Sequence, residues 1–223
     1  MGFVETVNVG AARPNPYKTA ETTGIGKRPL AGPVLVRDPG PKQGGLGSGL
    51  VGDHIGDRRN HGGAGQAVYA FQREDLDAWS ERLGRLLPNG WFGENLTTRA
   101  VDVNDARIGE RWRIGDDLLV QVTGPRIPCA TFRGWMGDRG WLKRFVADRR
   151  PGAYLRVLEP GTIAAGVGIE VVHRPEHDVS ISYAFSALID RPELLPGLLA
   201  AGPEDLGEEL FAMAAGGRTF SLG

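Results

Sequence analysis

A single cysteine, Cys129, is the only thiol in 223 residues. No internal disulfide can staple the fold, and the chemistry of that one thiol becomes the question. The chain also lacks any run of about 18 apolar residues, the minimum for a membrane-spanning helix. Its first ten residues, MGFVETVNVG, have neither the basic start nor the apolar core of a secretory signal. Charge of one sign is missing as well. Lys and Arg total 26 against 27 Asp and Glu, interspersed to a net charge of -1, so there is no basic stripe of the kind that nucleic acid or an anionic membrane demands. These absences lead us to expect a cytoplasmic protein with a small-molecule partner, no nucleic acid and no membrane. There is no Walker loop, no G-x-G-x-x-G opening a helix and no G-x-S-x-G elbow. His54, His173 and His177 with one cysteine match no four-ligand zinc spacing.

Glycine and proline are plentiful, at 34 and 15 residues, and they suggest many short strands joined by tight turns. Met1-Gly2 with Thr6 fits a myristoylation pattern, but Phe3, Val4, Val7 and Val9 read better as a first strand. Further strands are expected around residues 33–36, 101–103, 111–114, 118–123, 153–158 and 166–172. Residues 67–71 read as a strand or the start of a helix. Leu76, Trp79, Leu83 and Leu86-Leu87 recur at helical spacing across residues 73–87, with acids early and arginines late as the helix dipole prefers. A shorter helix is expected near 140–147. Residues 38–52 hold six glycines between Gly40 and Gly52 and are expected to form a mobile loop. The end of the chain is leucine- and alanine-rich, with Pro192 and Pro203 suited to first helical turns, so three helices are expected over 179–189, 192–200 and 203–214. The fold class expected is mainly β with helices (α+β), with a barrel-like body over residues 1–173 and a three-helix appendix over 174–223.

Unusual chemistry is concentrated in residues 52–71, where Asp53, Asp57, Arg58, Arg59 and His61 precede Gly62-Gly63 and an apolar segment. His61 before two glycines is compatible with a turn cap or a bridge to Asp57. Equally, the glycines would let backbone approach a ligand while the imidazole supplies a proton near neutral pH. Cys129 follows Arg126-Ile127-Pro128, where a nearby cation favours thiolate and a Pro-Cys turn can aim sulfur into a cavity; a buried small hydrophobe is the plainer reading. Arg58, Arg59 and Arg126 are either solvated charges paired with Asp53 and Asp57 or a bidentate clamp for phosphate. Asn95 and Thr97, in Phe92-Gly93-Glu94-Asn95-Leu96-Thr97, offer amide and hydroxyl partners to a heterocycle, or form an ordinary turn.

Taken in order, Gly52-Asp53 with Asp57, Arg59 and His61-Gly62-Gly63, then Ala67-Val68-Tyr69, Phe92 to Thr97, Arg126-x-Pro128-Cys129 and Tyr154-Leu155-Arg156-Val157 resemble the MOSC domain, the family named after the C-terminal domain of molybdenum cofactor sulfurase. Gly26-Lys27-x-Pro29 and the C-terminal helices resemble the branch that protects against 6-N-hydroxylaminopurine and ends in a three-helix domain. The resemblance implies a β-barrel binding a molybdenum-molybdopterin cofactor, with Cys129 as the metal ligand and Lys27, His61 and Cys129 as the catalytic centre. Asp57, Arg58, Arg59, Gly62, Gly63, Asn95, Thr97 and Arg126 would then contact the cofactor. It further implies two-electron reduction of an N-hydroxylated substrate to its amine, fed by a separate electron-donating reductase, with a homodimer left open. A non-catalytic module carrying the cofactor or its sulfur is the alternative, and a barrel that has lost the metal is a third. The chain departs from the family pattern at Ala64-Gly65-Gln66, where Pro-Asp-Lys is frequent, and at Ile127, where glutamine is common.

Overall fold

A computed structural model describes residues 2–222; Met1 and Gly223, the outer limits of the two expected units and the former part of the lipidation pattern, lie outside the described residues. Seven strands close into a barrel. They are β1 (Gly2–Val9), β2 (Val68–Gln72), β3 (Leu96–Arg99), β4 (Arg111–Ile114), β5 (Leu118–Pro125), β6 (Ala153–Glu159) and β7 (Gly168–His173). Their order around the ring is β7-β4-β5-β6-β2-β3-β1, and β1 returns to β7 through Gly2↔Ile169 and Phe3↔Gly168. Closure removes the open edges that a sheet otherwise exposes to unwanted pairing.

All neighbours in the ring are antiparallel except β2 and β3, which pair in parallel at Ala70↔Leu96. A parallel pair needs a long crossover, and helix α1 (Arg73–Leu83) supplies it. In β1 the register shifts between Val4 and Thr6, so Val4 and Val7 both face the core although they are three apart.

Three short ladders attach to the barrel. Arg28–Pro29 pairs with the end of β1 at Asn8↔Pro29, which sets Lys27 beside Gly10. Arg13–Pro14 pairs with Thr22–Thr23, and Val34–Val36 with Gly161–Ile163. Residues 38–52, expected to be mobile, are fastened by backbone bonds from Gly63 N to Gly47 O (2.9 Å), Ala64 N to Gly40 O (2.8 Å) and Gly49 N to Ala67 O (2.8 Å).

Several expectations need correction. The helix expected over 73–87 ends at Leu83, because Gly84 takes the left-handed conformation (φ 62°), so Leu86 is exposed while Leu87 is buried. Residues 101–103 are irregular: Ala100 sits at φ 57° and turns the chain away, and Val103 N bonds Gln72 Oε1 instead of a ladder. Strand β5 continues through Pro125, two residues past its expected end.

Beyond Cys129 lies an unforeseen helix, α2 (Ala130–Met136), followed by α3 (Trp141–Asp148). Both dock through an aromatic cluster in which Phe92, Phe132 and Phe145 meet edge to face and Trp141 packs against all three, with the Phe92–Phe132 and Phe132–Phe145 centroids each 5.1 Å apart.

The C-terminal segment forms α4 (Ile181–Ile189), α5 (Leu195–Leu198), α6 (Gly202–Leu206) and α7 (Glu208–Ala215), with Gly207 dividing the third helix expected from the sequence into α6 and α7. Ile181, Ala184, Leu188, Leu198 and Leu206 are buried in the same apolar core as the barrel valines, so these helices cover barrel wall. No helix among the described residues is long and apolar enough to cross a membrane.

Candidate active site around Cys129

Cys129 caps the N-terminus of α2 in an extended conformation (φ -120°), immediately after Pro128 ends the excursion from β5. Phe132 and Met136, one turn and two turns on, are buried in the aromatic cluster and anchor the helix that presents the sulfur. Burial alone would push the thiol up. The His61 ring bonded to the sulfur, together with the charges of Arg126 and His61, outweighs burial and brings the thiol from 9.0 down to about 6. Cys129 retains partial exposure, so this thiolate is accessible.

The sulfur stands between two cavities. The smaller, about 120 Å³, is lined by Lys27, Asp53, His54, Asn95, Arg126 and Thr131 among others. The larger, about 830 Å³, is lined by Arg59, Gly63, Arg133 and Arg156 and by residues 206–210 and 220–222 of the C-terminal segment. His61, Gly62, Gln66, Cys129 and Tyr154 belong to both walls.

Lys27 is buried and ion-paired with Asp53, whose side chain is fully buried. The same carboxylate accepts from Gly10 N (2.8 Å), Ser48 Oγ (2.7 Å) and Asn95 Nδ2 (3.0 Å). Four separate stretches of chain therefore converge on Asp53, which fixes where the Lys27 ammonium sits. Asp57 pairs with Lys18 and accepts from Asn60 Nδ2 (2.9 Å). Burial raises the Asp57 carboxyl, but Lys18, Asn60 and the neighbouring His61 prevail and pull it down to about 2.

The MOSC domain family model matches residues 57–170. The chain belongs to the MOSC domain family. Bacillus subtilis YflK, an uncharacterised protein, is 33% identical over 162 residues, 73% of this chain and 69% of its own length. A Gibberella moniliformis protein named Reductase is 31% identical over 131 residues, 57% of this chain but 23% of its own length. The crystal structure of YiiM from Geobacillus stearothermophilus matches with a TM-score of 0.75 at 25% identity, over 97% of this chain and 99% of that one.

Within this MOSC barrel, Lys27, His61 and Cys129 all face the smaller cavity, as do Asp57, Gly62, Asn95 and Arg126. Arg59 and Gly63 face the larger one. Arg58 faces neither; it is exposed and donates to Gly45 O at 3.2 Å. Thr97 is also outside both walls, fully buried, donating to Glu94 Oε1 (3.0 Å) and accepting from Asn8 Nδ2 (3.0 Å). Asn95 divides its amide between Tyr69 N (3.1 Å) and Asp53, so it braces the cavity wall.

The missing Cβ of Gly62 and of Gly63 does not itself leave space for a ligand. A Cβ on Gly62 would stand 2.6 Å from Gly47 O, and one on Gly63 2.7 Å from Lys42 N, so these glycines admit the glycine-rich loop of the chain itself. Nor is Arg126 a surface clamp. Its guanidinium lies 3.5 Å from the centroid of Phe132, buried, with Nη1 unpartnered. Neither Arg58 nor Arg59 pairs with Asp53 or Asp57, whose partners are Lys27 and Lys18.

Residues that the sequence left unassigned also line the site. His54, set aside with the scattered histidines, has Nε2 3.0 Å from Thr22 Oγ1 in the smaller cavity's wall. Asn15 donates to Thr131 Oγ1 at 3.1 Å beside it. Asp53 carried a signal, a carboxylate set among glycines ahead of a basic run, whereas Asn15 and Lys18 lie in a polar loop with nothing to mark them.

Proposed function

We propose that this protein is a molybdenum-cofactor-dependent reductase of N-hydroxylated compounds such as 6-N-hydroxylaminopurine, working in the cytoplasm with electrons from a separate reductase. The observation that carries the reading is the Cys129 thiolate, favoured by His61 and Arg126 and set in the wall common to two cavities, one of which also holds Lys27. The residues fit the cofactor. A soft thiolate suits a redox metal that accepts oxygen, and two buried nitrogens without partners, Arg126 Nη1 and Arg156 Nε, stand in the walls on either side. Cys129 would hold the metal, and Arg59 and Arg156 lie in the larger cavity, where an anionic group would be met. The relative named Reductase supports the reading, since a segment similar to this chain forms part of that protein.

Conversion of R-NHOH to R-NH2 consumes two electrons and two protons and releases water; the cofactor supplies the electron transfer and the oxygen-accepting metal. The chain's part is to place protons and exclude disorder. His61, with its ring against the sulfur, is positioned to protonate the departing hydroxyl oxygen. The Lys27 Nζ, held in place by Asp53, supplies a fixed positive charge and a second set of protons in the smaller cavity. Arg126 keeps the sulfur ionised.

Protein purified from cells that make the cofactor is expected to contain about one molybdenum per chain, and with a suitable electron donor it reduces 6-N-hydroxylaminopurine to adenine. Cys129→Ala is expected to lose both metal and activity. Full activity in that variant refutes the thiolate-ligand assignment, and bound metal without turnover of any N-hydroxylated compound refutes the reductase in favour of a cofactor-binding module.

A further inference from the structure

Gln66 closes the three-residue 3₁₀ turn Ala64–Gln66 and is tied twice to the preceding glycines. Its backbone N donates to Gly63 O at 2.9 Å, and its side-chain Oε1 accepts from Gly62 N at 3.1 Å. The second bond settles which way the amide faces, because only the oxygen can accept from a peptide N–H. Nε2 is consequently turned away from the glycines, and among the described residues it has no hydrogen-bond partner. Gln66 also lines both cavities, in the company of His61, Cys129 and Tyr154.

Around the smaller cavity the charges are matched to each other, the Cys129 sulfur by His61 and Arg126, Asp53 by Lys27 and Asp57 by Lys18, whereas Arg59 and Arg156 stand in the wall of the larger one. What Gln66 adds is a neutral group whose two donor hydrogens are free while its oxygen is turned to Gly62 N. Its complement is a neutral acceptor atom, a carbonyl oxygen or an sp² ring nitrogen. A lysine at this position would offer charge instead, and would leave Gly62 N without its partner.

We propose that Gln66 is a specificity-determining residue, whose Nε2 donates to a neutral acceptor next to the reacting nitrogen of the substrate. This rests on the reductase reading and narrows it: the favoured substrates are N-hydroxylated azaheterocycles and amide-like compounds, in which a ring nitrogen or carbonyl flanks the hydroxylamino group. In 6-N-hydroxylaminopurine the two ring nitrogens flanking the exocyclic group are such acceptors. N-hydroxylated anilines have none.

Gln66→Glu tests this because it keeps an oxygen for Gly62 N while replacing the donor by an acceptor. Calorimetric titration of the purified protein with adenine, and with indole as a bicycle of similar shape that lacks ring acceptors, reads recognition without requiring turnover. Wild type is expected to bind adenine more tightly than indole, and Gln66→Glu to weaken adenine binding about ten- to hundredfold, the usual loss when a buried hydrogen bond is left unmade. Gln66→Ala, which removes donor and clamp together, should lose the same preference. An unchanged preference for adenine in Gln66→Glu, or no preference in wild type, overturns the proposal. If adenine binding depends on Gln66 but 6-N-hydroxylaminopurine is not reduced by cofactor-loaded protein, the reductase reading fails and the recognition stands.

Discussion

The ionisation of Cys129 offers the sharpest test of the site. The thiol is lowered from 9.0 to about 6, with the His61 bond and the Arg126 and His61 charges overcoming burial. Three units at about 1.4 kcal/mol each mean that folding shifts the balance towards thiolate by about 4 kcal/mol relative to the unfolded chain. The sign follows from linkage: the folded value lies below the unfolded one, so the contribution is absent below pH 6, grows as pH rises, and is complete above pH 9. In protein made without cofactor supply, the rate of alkylation by iodoacetamide is expected to rise with a midpoint near pH 6. The unfolding free energy of wild type should climb relative to Cys129→Ser across the same interval. Arg126→Met, which keeps an unbranched side chain but removes the guanidinium charge that lies over Phe132, should move the alkylation midpoint up by about 1–3 units. A wild-type midpoint at the ordinary thiol value of about 8.5, or one indifferent to Arg126→Met, refutes the electrostatic account of the site.

Two further predictions concern the elements that hold Lys27. Asp53→Asn leaves a buried ammonium without its counter-ion and should cost about 3–5 kcal/mol in urea unfolding, part of which returns when Lys27→Met is added; a loss under about 1 kcal/mol would mean that the pair is not a structural anchor. Gly90→Ala places a Cβ 2.4 Å from Lys27 O at a φ of +82°, so it should destabilise the protein by more than about 1 kcal/mol and displace the segment carrying Lys27. Wild-type stability in this variant would refute the close approach.

Much of the barrel was legible because alternation and turn residues are local signals. The strands at Gly2–Val9, Arg111–Ile114 and Ala153–Glu159 all fall where hydrophobic patterning places them. Misreadings occurred where one backbone conformation overrides composition. Val101-Asp102-Val103 alternates as a strand should, yet Ala100 at φ 57° redirects the chain. Leu86 and Leu87 continue a helical spacing that Gly84 has already ended. Helix α2 was missed because Gly134 interrupts a segment of only seven residues, and its stability comes from Phe132 and Met136 entering a cluster that no local window contains.

For the candidate site, a lone thiol and an imidazole beside paired glycines carry a local mark and pointed to Cys129 and His61, whereas Lys27 was picked out only by the family resemblance of Gly26-Lys27-x-Pro29. The sequence by itself thus determined a β-rich chain with one thiol and the side chains available to its chemistry. Which of them meet was decided by tertiary structure alone. Ring closure sets β1 against both β3 and β7, the Arg28–Pro29 ladder carries Lys27 to Asp53, and the excursion after β5 puts Cys129 against His61. Pairings across 26 and 68 positions of chain leave no periodicity to read, because their energy comes from burial and charge in a shared low-dielectric space that exists only once the barrel has closed.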